Sequence, residues 1–242
     1  MIEEVKKTTG TFISYDGTEI YYESRGSGEP IVLAYGIACL MNHWNHQIRE
    51  FSKKYRVISF DYRGHHQSAT PVNHDHLKID SIVEDIHCLL NHLKIKNAHF
   101  FGHSFGVPVL IRLFDLYPQS IRTLVFVNGF AQNPISGILG KELTHLGFEA
   151  LADAHKLLPQ TLGHVWKLAI DNPISIQIAS LAGGFNLKYS SLKDVEVYAK
   201  GVASLDLNVF LSLFKSMIDF DGTSSLERIN VPTLILGGDR DG

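Results

Sequence analysis

The stretch Ala98-His-Phe-Phe-Gly-His-Ser-Phe-Gly-Val-Pro-Val-Leu110 decides how this chain folds. Its first four residues make a short, mostly apolar run of the kind found in a buried strand. From Phe105 to Tyr117 the pattern is helical, and Pro118 stops it. Between strand and helix lies Gly102-His-Ser-Phe-Gly106, a G-x-S-x-G pattern in a strand–turn–helix setting. A serine on so sharp a turn has strained backbone angles, and side chains on the flanking positions would clash unless these were glycine. The helix behind it offers backbone N–H groups and the positive end of a dipole to a developing oxyanion.

Outward from this turn, strands and helices alternate. Upstream, Thr11-Phe-Ile-Ser14 and Glu19-Ile-Tyr-Tyr-Glu23 flank Asp16-Gly17 and predict a hairpin. Ile31-Val-Leu-Ala34 and Val57-Ile-Ser-Phe60 are buried-strand runs, as are Thr123-Leu-Val-Phe-Val127 and Thr233-Leu-Ile-Leu236 downstream. Between Asp80 and Leu93 the apolar residues Ile82, Val83, Ile86, Leu89, Leu90 and Leu93 recur at three- and four-residue spacing, one face of a helix. The order predicts an α/β fold, a mostly parallel sheet with helices on both faces. The alternation lapses between Phe130 and about Leu205, where helical stretches at Ile138–Leu146, Glu149–Leu158 and Leu162–Ile170 are punctuated by Pro134, Pro159 and Pro173. We read residues 131–205 as an inserted helical cap, and 1–130 with 206–242 as the core.

Composition narrows the partners. Lys and Arg number 22 against 25 Asp and Glu, a net charge of −3 with no basic stripe, which argues against nucleic-acid binding. The chain is 45% hydrophobic and 19% charged, a folded rather than a disordered composition. The N-terminal residues lack the apolar core of a secretory signal, and no run approaches the ~18 apolar residues of a membrane span. Cys39 and Cys88 are too few for a disulfide framework and point to reduced thiols in the cytoplasm. Thirteen histidines include His43-x-x-His46, the adjacent His65-His66 and His74-x-His76. No cysteine pair or H-E-x-x-H accompanies them, so surface histidines, with no metal or cofactor, are the expectation.

Five stretches resemble the α/β-hydrolase superfamily in its cofactor-free, serine-nucleophile branch with a helical cap. They are Ile31-Val-Leu-Ala-Tyr-Gly36; Tyr55-Arg-Val-Ile-Ser-Phe-Asp-Tyr-Arg-Gly-His65 with Ser68; Gly102 to Gly106; Tyr117-Pro-Gln-Ser-Ile-Arg-Thr-Leu-Val125; and Val231-Pro-Thr-Leu-Ile-Leu-Gly-Gly-Asp-Arg-Asp241. The resemblance implies Ser104 as nucleophile, Asp241 as the triad acid, and an oxyanion hole from the N–H groups of Ile37 and Phe105. Asp239 reads as a turn former. Two departures stand out. Tyr35 replaces the histidine that usually precedes Gly36, which predicts altered support for the Ile37 loop, and Val107-Pro108 follows the elbow where small residues are common.

In this family the base is a histidine that follows the acid. Here the last histidine is His164, and Gly242 closes the sequence one residue after Asp241. The expectation is therefore a chain truncated before its catalytic histidine, a poor catalyst with an apolar edge at Thr233–Leu236 prone to self-association. His103 adjoins Ser104 but points to the other side; His65 and His66 border the pocket mouth; His145, His155 and His164 lie in the cap. None stands where the resemblance places a base. Neither cysteine is paired with a base.

Serine rather than aspartate at the elbow implies acyl transfer and excludes the halide- and epoxide-opening branches. The expected activity is esterase-like: hydrolysis of carboxylic esters or related small apolar acyl substrates through an acyl-enzyme. Cofactor-free perhydrolysis is the rival enzyme, and a non-catalytic small-ligand binding or signalling protein, or an inactive fragment, is the alternative.

Overall fold

The computed structural model describes residues 6–134, 141–170, 172 and 199–238. A seven-stranded sheet runs through it. Its strands are β1 (Lys7–Ile13), β2 (Glu19–Arg25), β3 (Pro30–Ala34), β4 (Arg56–Phe60), β5 (Ala98–His103), β6 (Ile121–Val127) and β7 (Thr233–Leu236). The spatial order is β1-β2-β4-β3-β5-β6-β7. β1 pairs with β2 and β2 with β4 antiparallel; the remaining pairs are parallel. The α/β expectation holds.

Local chemistry explains the elements. At the β1–β2 turn Gly17 takes φ +86°, a conformation glycine adopts without penalty, and the Asp16 carboxylate accepts from the Thr18 N–H at 3.1 Å. Runs buried on both faces form the central strands: Val32, Leu33 and Ala34 in β3, with Ile58 and Phe60 in β4, are fully buried. Helix α1 (Asn45–Phe51) follows β3, α2 (Ile79–His92) follows β4, and α3 (Gly106–Leu116) follows β5. In α2 the predicted stripe of Ile82, Val83, Ile86, Leu89 and Leu90 is buried. Pro108 sits in the first turn of α3, where no intrahelical bond is lost.

Two further helices, α4 (Lys141–Leu157) and α5 (Pro159–Ile170), precede α6 (Leu207–Ile218) and the short α7 (Thr223–Leu226). The break expected between Leu146 and Glu149 is absent; one helix runs through both stretches. Gly147 has open space around its Cα, and a helix-interior glycine costs about 1 kcal/mol, too little to stop a seventeen-residue helix. Ile138 to Gly140 and Pro173 lie outside the described residues. An aromatic ladder joins α4 and α5 to α6: Phe148 to Phe214 at 5.8 Å, Phe214 to Phe210 at 5.5 Å, Phe210 to Trp166 at 4.7 Å. Asp206 caps α6, accepting from the Asn208 N–H at 2.8 Å. No helix among the described residues is long and apolar enough to cross a membrane.

Among the described residues β7 is a sheet edge, with Leu234 52%, Ile235 73% and Leu236 47% exposed. Such an edge templates pairing with other chains.

Candidate active site

Ser104 stands between β5 and α3 with φ +51°. A left-handed serine costs about 1–2 kcal/mol and persists only when its surroundings over-determine it. They do so here. The Ser104 N–H donates to the Val127 carbonyl at 3.0 Å, and the Val107 N–H donates to the Ser104 carbonyl at 3.0 Å. The flanking glycines are required sterically. A Cβ on Gly106 would lie 2.3 Å from the Ala34 carbonyl oxygen, and one on Gly102 would lie 2.9 Å from the Gly106 backbone. The turn places Ser104 beyond the carboxyl ends of parallel strands, where open α/β sheets bind ligands.

The loop after β3 lies against this serine. A Cβ on Gly36 would sit 3.3 Å from the Ser104 Cβ and 3.2 Å from the Cys39 sulfur. The Cys39 N–H donates to the Gly36 carbonyl at 3.0 Å, closing a turn around Ile37 and Ala38. Ala38 has φ +59°. Among the described residues neither the Ile37 nor the Phe105 N–H has a hydrogen-bond partner. Phe105 is at the N-cap of α3, where helix geometry leaves N–H groups unpaired. Ser104, Phe105 and the Ile37 loop are thus brought together.

Asp239 and Asp241 lie outside the described residues. Gly237 and Gly238 leave β7 at the same sheet end, since Val127 pairs with both His103 and Leu236. Among the described residues no base is hydrogen-bonded to the Ser104 hydroxyl. His103 packs on His43 with ring centroids 4.4 Å apart. His145, His155 and His164 are on α4 and α5, away from the elbow in sequence and element.

Tyr35 supports the loop in a way the residue type made legible only in part. Its hydroxyl donates to Asp61 Oδ1 at 3.2 Å and accepts from the Tyr62 N–H at 2.9 Å. The Tyr62 hydroxyl returns a bond to the Tyr35 carbonyl at 2.8 Å. Burial pushes both phenols well above their usual range, so they stay neutral donors. Ser68 ties the same region to the hairpin, donating to the Asp61 carbonyl and accepting from the Tyr21 N–H.

The surface expectation fails for His65, which is fully buried. Sequence spacing carried no sign of this, because its partners are main-chain groups 27 and two residues away. Cys39 is buried and its thiol is pushed up to about 12 by desolvation, which fits an inert packing role. Among the described residues no three His, Cys, Asp or Glu side chains converge as a metal site would require.

Burial lowers the His65 ring to about 3. The unfolded ring titrates near its ordinary 6.5, so between these values the unfolded state binds the extra proton and stability falls as pH drops. From pH 7 to pH 5 His65 is expected to contribute a loss of about 2 kcal/mol. Desolvation also lowers His43, which acts with the same sign. Urea titrations at the two pH values check this: the difference should shrink by about that amount in His65→Leu.

The alpha/beta hydrolase fold family matches residues 29–242. This chain belongs to that family. Other α/β hydrolases resemble it to differing extents. A mouse protein named Epoxide hydrolase 4 is 30% identical over 118 residues, covering 48% of this chain and 33% of its own length. An Acinetobacter baylyi protein named (E)-2-((N-methylformamido)methylene)succinate hydrolase is 27% identical over 233 residues, 95% of this chain and 78% of its own length. Against the first, the chain spans about a third of the relative. A crystal structure of a hydrolase from Pseudomonas aeruginosa PA01 superposes with a TM-score of 0.73 at 23% identity, covering 96% of this chain and 80% of that one. That last likeness establishes the shared α/β-hydrolase fold.

Proposed function

We propose that the protein is a serine hydrolase acting on carboxylic esters or related small apolar acyl substrates. The observation that carries this reading is the strained Ser104 at the strand–helix turn, facing two N–H-bearing backbone segments with unpartnered donors. Ser104 Oγ attacks the acyl carbon as its proton passes to the base, and the carbonyl electrons move onto oxygen. The Ile37 and Phe105 N–H groups take that charge. The leaving alkoxide departs with a proton from the base, and water then hydrolyses the acyl-enzyme to regenerate Ser104. In the family's chain order Asp241 is the acid, orienting a histidine that comes after it.

A serine nucleophile forms an acyl ester that water resolves, which favours this chemistry over epoxide opening for this chain. We assign residues 131–205 as a cap; its Phe148 and Trp166 pack on Phe214 and Phe210 of α6, and this apolar seam favours uncharged acyl groups. Turnover of a panel of p-nitrophenyl esters by the full chain tests the proposal, with short and medium acyl groups preferred. Bromination in acetate, halide and peroxide without ester turnover would select perhydrolysis instead. Ligand-dependent shifts in Tm without turnover would select a binding protein.

A further inference from the structure

His65 and His66 are neighbours in sequence and hold neighbours in the loop against Ser104. The His65 Nε2 accepts from the Ala38 N–H at 3.2 Å, and the His66 Nε2 donates to the Cys39 carbonyl at 2.9 Å. These polarities fix both rings. With Nε2 an acceptor, His65 carries its proton on Nδ1, which donates to the Arg63 carbonyl at 3.2 Å. The His66 contact requires a hydrogen on Nε2. No other residue type with one flat ring both accepts from the loop and donates back to its own strand connection at this reach.

The loop's bookkeeping of N–H groups shows what the grip accomplishes. The Ala38 N–H is committed to His65 and the Cys39 N–H to the Gly36 carbonyl, which leaves the Ile37 N–H unpartnered among the described residues. Ala38 is 1% exposed and left-handed, so its N–H has no access to water and needs an acceptor inside the protein. His66 is itself left-handed, at φ +44°, a conformation that disfavours a side chain; the bond to Cys39 accompanies that strain. The grip is anchored in turn, because the Arg63 guanidinium is buried between Asp85 and Asp16.

We propose that His65 and His66 are positioning residues that set the loop carrying the Ile37 N–H, His65 by accepting from Ala38 and His66 by donating to Cys39. The proposal rests on the reading of Ser104 as an acyl-transfer nucleophile. Neither ring touches the substrate; each acts through the loop.

Three variants separate positioning from mere stability. His66→Gly removes the donor while relieving the left-handed strain, so its Tm should match or exceed the parent's. His65→Leu removes the acceptor at similar volume, and His65→Gln restores an acceptor at similar reach. In a chain that carries the family's histidine after Asp241, phosphonylation of Ser104 by an alkyl fluorophosphonate, with fluoride as the leaving group, is followed against probe concentration. The maximal rate should fall about tenfold in His66→Gly and His65→Leu, less than the roughly 10²–10³-fold expected for losing an oxyanion donor outright. The half-saturating concentration should stay within about twofold, since uniform binding is untouched, and His65→Gln should recover most of the rate. Amide exchange at Ala38 should quicken at least about tenfold in His65→Leu as its hydrogen bond is lost. Unchanged maximal rates in both loss variants overturn the proposal, as does a rate loss in His66→Gly that tracks a lowered Tm. If Ser104→Ala is labelled as fast as the parent, or a parent carrying the family's histidine after Asp241 is unlabelled, the acyl-transfer reading fails; Ala38 exchange then decides the grip, and unchanged exchange overturns it.

Discussion

In a chain that carries the family's histidine after Asp241, Ser104→Ala is expected to lower ester turnover at least about 10³-fold while leaving the fold intact. The size of the loss follows from chemistry: without the hydroxyl no acyl-enzyme forms, and what remains is the electrostatic help of backbone donors to direct water attack. The intact fold follows from structure. Alanine keeps the Cβ that faces Gly36 and keeps the left-handed backbone at φ +51° with its bonds to Val127 and Val107. The Ser104 hydroxyl makes no hydrogen bond among the described residues, so removing it strands no buried partner. Circular dichroism and Tm should match the parent's. Turnover that persists at the parent's rate would remove Ser104 from the reaction.

Arg63→Met should be the most destabilising substitution in the α/β core, at about 3–5 kcal/mol. The Arg63 side chain is 0% exposed, and it bonds Asp85 twice, at 2.8 and 2.6 Å, and Asp16 at 2.7 Å. Asp85 is 0% exposed and Asp16 6%. Ser14 and His76 complete the cluster, donating to Asp85 at 2.5 Å and contacting Asp16 at 2.7 Å. Burial raises the Asp85 carboxyl above its ordinary value against the pull of Arg63. Burial also works to raise Asp16, but hydrogen bonds from Arg63, Thr18 and His76 hold it well below the usual carboxylate range. Methionine fills much of the volume yet leaves two carboxylates without their cation. Urea unfolding measures the loss, and adding Asp85→Asn should return part of it by removing one stranded charge. A loss under about 1 kcal/mol would mean the cluster is not what ties the hairpin to α2.

Much of the fold was legible because burial leaves a local signature. The runs at Ile31–Ala34 and Val57–Phe60 are covered on both faces, so every residue in them is apolar or small. The α2 stripe shows because its period matches the helix. Gly102 and Gly106 marked the elbow because close backbone approach admits no side chain there. What escaped reading has no period. Arg63 meets Asp85 and Asp16 across 22 and 47 residues, and nothing local distinguishes those acids from surface ones. His65 looked like any polar loop residue because both its partners are main-chain atoms, which every sequence position supplies. The break expected between Leu146 and Glu149 does not occur, because the glycine there costs too little to stop a seventeen-residue helix. At the site, the pattern singled out Ser104 and the family resemblance pointed to the Ile37 loop, while the Tyr35–Tyr62 exchange that supports it required knowing which residues face each other across adjacent strand ends.

Covalent capture tests most directly whether Ser104 is the nucleophile. Treating a chain that carries the family's histidine after Asp241 with an alkyl fluorophosphonate and mapping peptides by mass spectrometry should give a single adduct, on Ser104, that is absent from Ser104→Ala. An adduct on another residue, an adduct that survives in Ser104→Ala, or no adduct on the parent would contradict the account.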